Sequence, residues 1–207
     1  MLIEILSLSE GERASRLLEL LQNKTGQNIG RDTNRWFSWW WQQEQAQTAG
    51  YAAFKSLLYG LIDDRFSLYF STSRETRVRL DEVRGGGVLQ DGIPPLRQPM
   101  MLAADQASYL EDDNIVFGIE INGDARAYPK RILAWHEMFV DNIRGTNFAG
   151  VYCTLCGAVI LYQTNHNGTQ HDFGTSGFLY RSNKLMYDKA TQSLWNTTWG
   201  NPSSVRW

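Results

Sequence analysis

The sequence has no long apolar run, no excess of charge and only two cysteines in 207 residues. Because no apolar stretch approaches the roughly 18 residues of a membrane-spanning helix, no transmembrane segment is predicted. The formal net charge is −2, which argues against bulk electrostatic attraction to nucleic acid or to anionic lipid. A small-molecule or protein partner is left open, and neither is identified by the composition.

The ends of the chain bear on its compartment. The opening residues 1–5 are too short and too acidic for a secretory signal peptide. Taken literally, the sequence is cytoplasmic, and its cysteines would be reduced or metal-bound. The chain stops at residues 203–207 directly after strand-like sequence, which is typical of a fragment. If the N-terminus is also truncated, an exported or periplasmic protein is expected instead.

Pattern changes along the chain predict an α+β organisation. Residues 1–74 form a helical, Trp-rich segment, with a helix end at Gly26 and a helix N-cap near Asp32. Residues 75–99 contain Gly-Gly-Gly and Pro-Pro and are interpreted as a connector. Residues 100–207 form a β-rich domain that is mostly antiparallel and contains one short helix.

Two Asn-Gly turns and one helix organise the β-rich domain. Asn122-Gly123 and Asn167-Gly168 each lie between strand-like runs and predict hairpins. A third hairpin is predicted from residues 184–187 and 193–197. Pro129 suits the first position of a helix that we expect to run to Phe139.

Both cysteines lie in one Cys-x-x-Cys motif, Cys153 and Cys156, and are treated as a unit. Such a pair closes a disulfide or binds one soft metal ion. The spacing to His166 and His171 superficially resembles a zinc finger, but the central gap is shorter than the usual ~12 residues. Both histidines are therefore interpreted as solvent-side residues of a hairpin.

His136 is the better candidate for a third metal ligand. Ile132, Trp135, His136 and Phe139 have helical spacing, which places His136 on a stripe that is expected to be buried. A Cys2His site would suit zinc or copper, and Met186 or Met138 as an added soft ligand would favour Cu(I). A hydrogen-bonded core histidine is the alternative.

Several short motifs occur in an order that resembles a known family. After Asp124-Ala-Arg-Ala-Tyr-Pro come Trp135-His-Glu and Tyr152-Cys-x-x-Cys-Gly. Phe173-Gly-x-Ser-Gly, Met186-Tyr-Asp and Ser193-Leu-Trp follow. Over about residues 80–200 the chain resembles DUF3179, a prokaryotic family of unknown function. Members usually have proline at the position of Thr154, and many continue past this chain's end, so the chain resembles a fragment that lacks the end of the domain.

The resemblance implies a set of site positions without an activity, so catalysis is left open. Beside the cysteines and His136, it marks positions whose side chains carry charge or a hydroxyl: Arg126, Glu137, Ser176 and Asp188. Arg126 is expected to pair with a carboxylate such as Glu137, and Asp188 to cap the turn through Thr191.

Three functions remain open for this arrangement. The first is binding of copper or zinc by Cys153, Cys156 and His136. The second is thiol–disulfide redox chemistry, although the strand-like sequence after Cys156 offers no helix N-terminus to lower a thiol pKa. The third is a non-catalytic binding module with a structural disulfide.

Overall fold

A computed structural model describes residues 1–43, 49–72, 74–155, 157–197, 201–202 and 204–205. The chain forms two compact units. The first comprises Met1–Thr72 with Val78–Glu82, and the second comprises Ser73–Arg77 with Val83–Trp207. The first is helical and the second is mostly antiparallel sheet, which confirms the predicted α+β class.

The first unit is built from short helices with defined ends. Gly26 ends its longest helix in a left-handed conformation with φ 69°, where glycine has no Cβ to clash. Asp32 accepts hydrogen bonds from the backbone N–H groups of Asn34 and Arg35; both helix ends were predicted. The helices are α1 (Leu2–Ser7), α2 (Gly11–Thr25), α3 (Thr33–Trp41) and α4 (Tyr51–Gly60), with 3-10 turns at Asp64–Phe70 and Leu80–Glu82.

The first unit combines an aromatic core with a buried ion pair. Trp36 and Phe37 of α3 are fully buried in a cluster with residues of α1 and α2. Elsewhere, Glu4 accepts hydrogen bonds from Lys55 Nζ at 2.6 Å and from the hydroxyls of Tyr51 and Tyr59. Lys55 is fully buried, so this carboxylate is needed to offset the cost of removing its charge from water.

The second unit contains one further helix, α5 (Lys130–His136), and a series of strands. In chain order the strands are β1 (Glu75–Thr76), β2 (Val83–Gly85), β3 (Leu96–Arg97), β4 (Val116–Ile121), β5 (Asp124–Pro129), β6 (Met138–Ile143), β7 (Thr146–Cys153), β8 (Ala158–Gln163), β9 (Asn165–His166), β10 (Thr169–Gln170), β11 (Phe173–Tyr180), β12 (Asn183–Asp188), β13 (Ser193–Asn196), β14 (Asn201–Pro202) and β15 (Ser204–Val205).

Two larger sheets dominate the second unit. One has the order β3-β6-β7-β8, in which only the β3–β6 pair is parallel, and the other has the antiparallel order β14-β13-β12-β11-β2. β4–β5, β9–β10 and β1–β15 form two-stranded ladders. One apolar cluster joins the two larger sheets: Met138, Ala149, Val151, Phe173 and Met186.

The three predicted hairpin turns are confirmed. β4 pairs with β5 and β12 with β13, while Asn167-Gly168 joins β9 to β10. The middle hairpin is much shorter than expected, because β8 pairs along its length with β7 instead. The ladder across Asn167-Gly168 therefore keeps only two residue pairs.

Two local interpretations are wrong. The helix after Pro129 ends at His136, and Phe139 lies in β6, because Glu137 adopts a left-handed conformation with φ 53°. Residues 83–85 and 96–97, inside the segment interpreted as a connector, form strands of the two larger sheets. The domain boundaries at 74/75 and 99/100 stay a prediction.

Candidate functional site

A cleft of about 230 Å³ lies in the second unit where β7 ends at Cys153. Its walls come from both larger sheets, from the start of β6 and from the segment after β2. Cys153 and Thr154 lie on one side of it, and Glu137 and Lys184 contribute its charged groups. The other lining residues are Gly86, Val88, Ile93, Tyr152, Leu155, Thr175, Gly177, Phe178, Leu179 and Ser182.

Glu137 and Lys184 form an ion pair within this cleft. Lys184 Nζ donates to Glu137 Oε2, and Thr154 Oγ1 donates to Glu137 Oε1 at 3.3 Å. The two side chains are only 11% and 20% exposed. Burial lowers the pKa of Lys184, and the hydrogen bond to Glu137 opposes this shift, because desolvation disfavours the ammonium while a carboxylate favours it.

The turn at the end of α5 positions the Glu137 carboxylate. The Glu137 N–H donates to Leu133 O at 2.7 Å, and Glu137 O accepts from the Tyr152 N–H at 2.9 Å. These bonds fix the residue between the last turn of α5 and strand β7. Glu137 is thereby held beside the end of β7. Thr154, the residue after Cys153, contacts the Glu137 carboxylate.

Cys153 is the described half of the Cys-x-x-Cys motif. It is partly buried at the end of β7 and is disulfide-bonded. Cys156, which is the other cysteine of the sequence, lies outside the described residues. The Gly157 N–H donates to Cys153 O at 2.8 Å, so a tight turn brings the chain from β7 into β8.

His136 directly precedes Glu137 in the chain but is not among the residues that line the cleft. Its Nδ1 is 2.9 Å from Pro94 O. The expected buried stripe is wrong, because Trp135 is 82% exposed and Leu133 is instead the buried residue of α5. Among the described residues, no three His, Cys, Asp or Glu side chains are arranged to hold a metal ion; that set does not contain Cys156.

The two methionines considered as soft ligands belong to the core. Met138 and Met186 are almost completely buried in the apolar cluster that joins the two larger sheets. Neither lines the cleft beside Cys153. In this position both side chains contribute packing between the sheets.

Arg126 pairs with Asp141 and not with Glu137, which corrects the predicted partner. Its Nη1 donates to Asp141 Oδ2 at 2.7 Å, and the Tyr128 hydroxyl donates to the same oxygen at 2.7 Å. The hydrogen bond to Asp141 raises the pKa of Arg126. This network links β5 to β6, which belong to different sheets, and none of its three residues lines the cleft.

Ser176 and Asp188 are held by local hydrogen bonds. Ser176 Oγ donates to Leu185 O at 2.5 Å and accepts from the Phe178 N–H at 3.0 Å, within an irregular stretch of the β11–β12 ladder. Asp188 Oδ2 accepts from the Thr191 N–H and hydroxyl, which confirms the predicted cap. Asp188 Oδ1 is buried and has no hydrogen-bond partner among the described residues.

His171 is not a solvent-side residue, which corrects its expected position. Its ring packs against Phe173 and Trp195, with ring centroids 5.7 and 5.0 Å away. Its Nδ1 is 3.7 Å from Asp188 Oδ2, and the side chain is mostly buried. His166, by contrast, is exposed opposite Thr169, as predicted.

Sequence reasoning missed Lys184 and Thr154 as parts of the cleft. A lysine within a strand gives no signal of burial, and its carboxylate partner lies 47 residues earlier. Gly86 was assigned to a connector, but its N–H donates to Gly177 O at 2.7 Å and it lines the cleft. A Cβ on Gly86 would lie 3.1 Å from that oxygen, so this close approach favours glycine.

Fold and site together define an α+β protein in which Cys153 borders a cleft that holds a partly buried lysine–glutamate pair. Residues 90–204, more than half of the chain, match the family model described as "Protein of unknown function (DUF3179)". The chain belongs to this family. Comparisons with curated proteins and with solved structures found no match. No helix among the described ranges has both the length and the apolar character required to span a membrane.

Proposed function

We propose that the cleft carries out thiol–disulfide exchange with Cys153 and Cys156 as the redox pair. The observation that carries this proposal is the Lys184–Glu137 pair, which lines the same cleft as Cys153 and is largely shielded from water. A cation beside a cysteine favours the thiolate, which is the reactive form. In this protein Lys184 would supply that positive charge, in place of the helix N-terminus that commonly lowers the pKa of a thiol.

The exchange balances in electrons and protons. A substrate thiolate attacks one sulfur of the Cys153–Cys156 disulfide, so that a mixed disulfide forms and the other cysteine leaves as a thiolate. A second substrate thiolate then breaks the mixed disulfide. The substrate dithiol loses two electrons and two protons, and the protein's cysteine pair gains them.

Lys184 and Glu137 would serve the proton steps. Because burial lowers the pKa of Lys184, its ammonium is a better proton donor to a departing thiolate than an exposed lysine would be. Glu137 holds the ammonium in place through Oε2. Neither residue needs to bond covalently to the substrate, so both would act through charge and proton transfer.

The test measures the thiol pKa in the reduced protein from the pH dependence of alkylation by iodoacetamide. We expect Lys184→Met to move the half-maximal rate to higher pH by about one unit, because the stabilising cation is lost. Lys189→Met is the matched control, since Lys189 pairs with the exposed Asp172. Equal profiles for wild type and Lys184→Met, or a disulfide that cannot be reduced without unfolding, would contradict the proposal. The second result would favour a purely structural disulfide.

A second candidate function is binding of copper or zinc by reduced Cys153, Cys156 and His136. The Nδ1 of His136 faces Pro94 O at 2.9 Å, and a ring nitrogen fixed by a carbonyl is typical of histidines that bind metal through the other nitrogen. Met138 and Met186 would not take part in this version of the site, because both are packed in the core.

Metal content by mass spectrometry, on protein purified under reducing conditions without chelators, tests this second candidate. About one zinc or copper per chain is expected, with loss in Cys153→Ser and in His136→Ala. His166→Ala is the control histidine, because His166 is exposed on the short hairpin. Metal retained in His136→Ala would remove His136 from the site, and metal absent from wild type would reject the candidate.

A further inference from the structure

Apolar side chains form most of the wall of the cleft. They are contributed by the segment after β2, by the cysteine loop and by β11: Val88, Ile93, Leu155, Phe178 and Leu179. The charged groups among the described lining residues are Glu137 and Lys184, which neutralise one another. A substrate that enters this space therefore meets an apolar surface with no net charge.

This charge balance disfavours small anionic thiols. Lys184 is the one cationic side chain among the described lining residues, and it is already paired with Glu137 and, in the proposed exchange, serves the cysteine thiolate. The carboxylates of a thiol such as glutathione would lose water without gaining a counterion, which is costly. An uncharged group next to the reacting sulfur avoids this cost.

Exposed apolar side chains occur in the cleft wall and close to it in sequence. Leu155, between the two cysteine positions, is 76% exposed, and Trp135 is 82% exposed. Trp135 lies two residues before Glu137, so their Cα atoms are within about 7.6 Å of each other. An exposed apolar group at the wall of a cleft, as Leu155 is, is typical of surfaces that bind another polypeptide.

The size of the cleft points the same way. A volume of about 230 Å³ is below the 300–1,000 Å³ that is usual for pockets that enclose a whole drug-sized ligand. It accommodates one or two side chains, so the remainder of a substrate would lie across the rim. Leu155, which lines the cleft and is largely exposed, would contact that remainder.

From these features we infer that the substrate is a polypeptide dithiol whose cysteines are flanked by apolar side chains, and that the cleft binds one of those side chains. The inference rests on the proposed thiol–disulfide exchange and specifies its substrate class. The bonds formed and broken are those of that exchange. The polypeptide's two thiols become a disulfide, and the pair Cys153 and Cys156 becomes reduced.

The experiment compares the rates at which thiol probes reduce the oxidised protein. Two synthetic peptides have the same Cys-Gly-Gly-Cys centre, one flanked by leucine and phenylalanine and the other by glutamate, and glutathione is the third probe. We expect the apolar peptide to react at least about tenfold faster than the acidic one, because burial of one apolar side chain contributes on that scale. Dithiothreitol serves as a neutral reference.

A charge placed at the cleft provides the matched variant. Val88→Lys adds a cation to the lining and should reduce the preference for the apolar peptide while it accelerates the acidic one. Leu57→Lys is the control, since Leu57 is 75% exposed in the first unit. We expect this control to leave the ratio of the two rates unchanged.

The outcomes separate the inference from the proposed function. If dithiothreitol reduces the protein reversibly but the apolar and the acidic peptide react equally, the substrate inference fails and thiol exchange stands. If no probe reduces the protein without unfolding it, the proposed function itself fails. An unchanged ratio in Val88→Lys would also overturn the inference, because the cleft would then not contact the flanking side chain.

Discussion

Ser176 illustrates a hydroxyl that belongs to the structure rather than to the chemistry. Its hydroxyl donates a hydrogen bond to Leu185 O and accepts one from the Phe178 N–H, and the side chain is completely buried. We expect Ser176→Ala to lower the free energy of unfolding by about 1–3 kcal/mol, because two buried backbone groups lose their partner. Urea unfolding measures the loss. A thiol-exchange rate that also falls in the folded variant would contradict this assignment.

The ion pair in the cleft has a stability consequence of its own. We expect Lys184→Met to lower the free energy of unfolding by about 1–3 kcal/mol, because the shielded Glu137 carboxylate loses its hydrogen-bond donor. In Lys189→Met the change should stay below about 0.5 kcal/mol, since that pair is exposed to solvent. Urea unfolding of the oxidised proteins measures both. Equal losses in the two variants would show that burial of Glu137 and Lys184 has no energetic effect.

The lowered pKa of Lys184 also predicts a pH dependence. Between its folded value and the ordinary 10.5, the unfolded chain holds a proton that the folded chain has lost. The free energy of unfolding therefore gains a contribution that rises with pH through this window. We expect the stability difference between wild type and Lys184→Met to be larger at about pH 10 than at about pH 7. A difference that is constant or shrinks on going to alkaline pH would contradict the shift.

At the scale of elements, strands β6 and β7 contain one very close contact, between a glycine and an aromatic ring, that the sequence pattern does not predict. Gly150 lies opposite Phe139, and a Cβ on Gly150 would lie 2.2 Å from two atoms of that ring. Gly118, in strand β4, has no atom within 4 Å of such a Cβ. The two glycines therefore occupy very different surroundings in neighbouring parts of the same unit.

Alanine at these two positions separates close packing from backbone effects. We expect Gly150→Ala to lower the free energy of unfolding by about 1–3 kcal/mol or more through overpacking. Gly118→Ala should be neutral or slightly stabilising, because alanine restricts the unfolded chain. Thermal unfolding of both variants checks this, and a similar shift in the two would show that the Phe139 ring moves aside without cost.

Local signals in the sequence predicted the turns well, because a turn is determined by adjacent residues. Asn122-Gly123 forms its hairpin, and Asp188 caps its turn through Thr191. The end of α5 was missed because Glu137 adopts a left-handed conformation there, which is costly for a residue with a Cβ. The contacts to β7 and Lys184 that hold Glu137 come from distant parts of the chain.

The cleft was predictable only in part for the same reason. Cys153 and Glu137 were singled out from the sequence, and both border the cleft. Lys184 was not, because its carboxylate partner lies 47 residues earlier. Gly86 was not, because the pairing of β2 with β11 brings it to the cleft from a distant part of the chain. His171 was wrongly predicted to face solvent. Its partners Phe173, Asp188 and Trp195 lie in three different strands, β11, β12 and β13, which only the folded sheet brings together.

At the scale of the whole molecule, the two units have separate cores. The first contains the cluster around Trp36 and the buried Glu4–Lys55 pair, and the second contains the cleft. We expect Glu4→Gln to destabilise the first unit by about 3–5 kcal/mol, because the buried Lys55 charge loses its carboxylate. Glu12→Gln is the control, since the Glu12–Arg16 pair is fully solvated and contributes little.

Hydrogen exchange followed by mass spectrometry measures the two units separately. In Glu4→Gln, amides within Met1–Thr72 should exchange faster, because opening of this unit becomes less costly. Amides from residue 83 onward should keep their wild-type rates, and the alkylation profile of the reduced cysteines should not move. Faster exchange around the cleft in the same variant would show that the core of the first unit supports the site. The cysteine chemistry would then depend on the helical unit as well as on the groups that line the cleft.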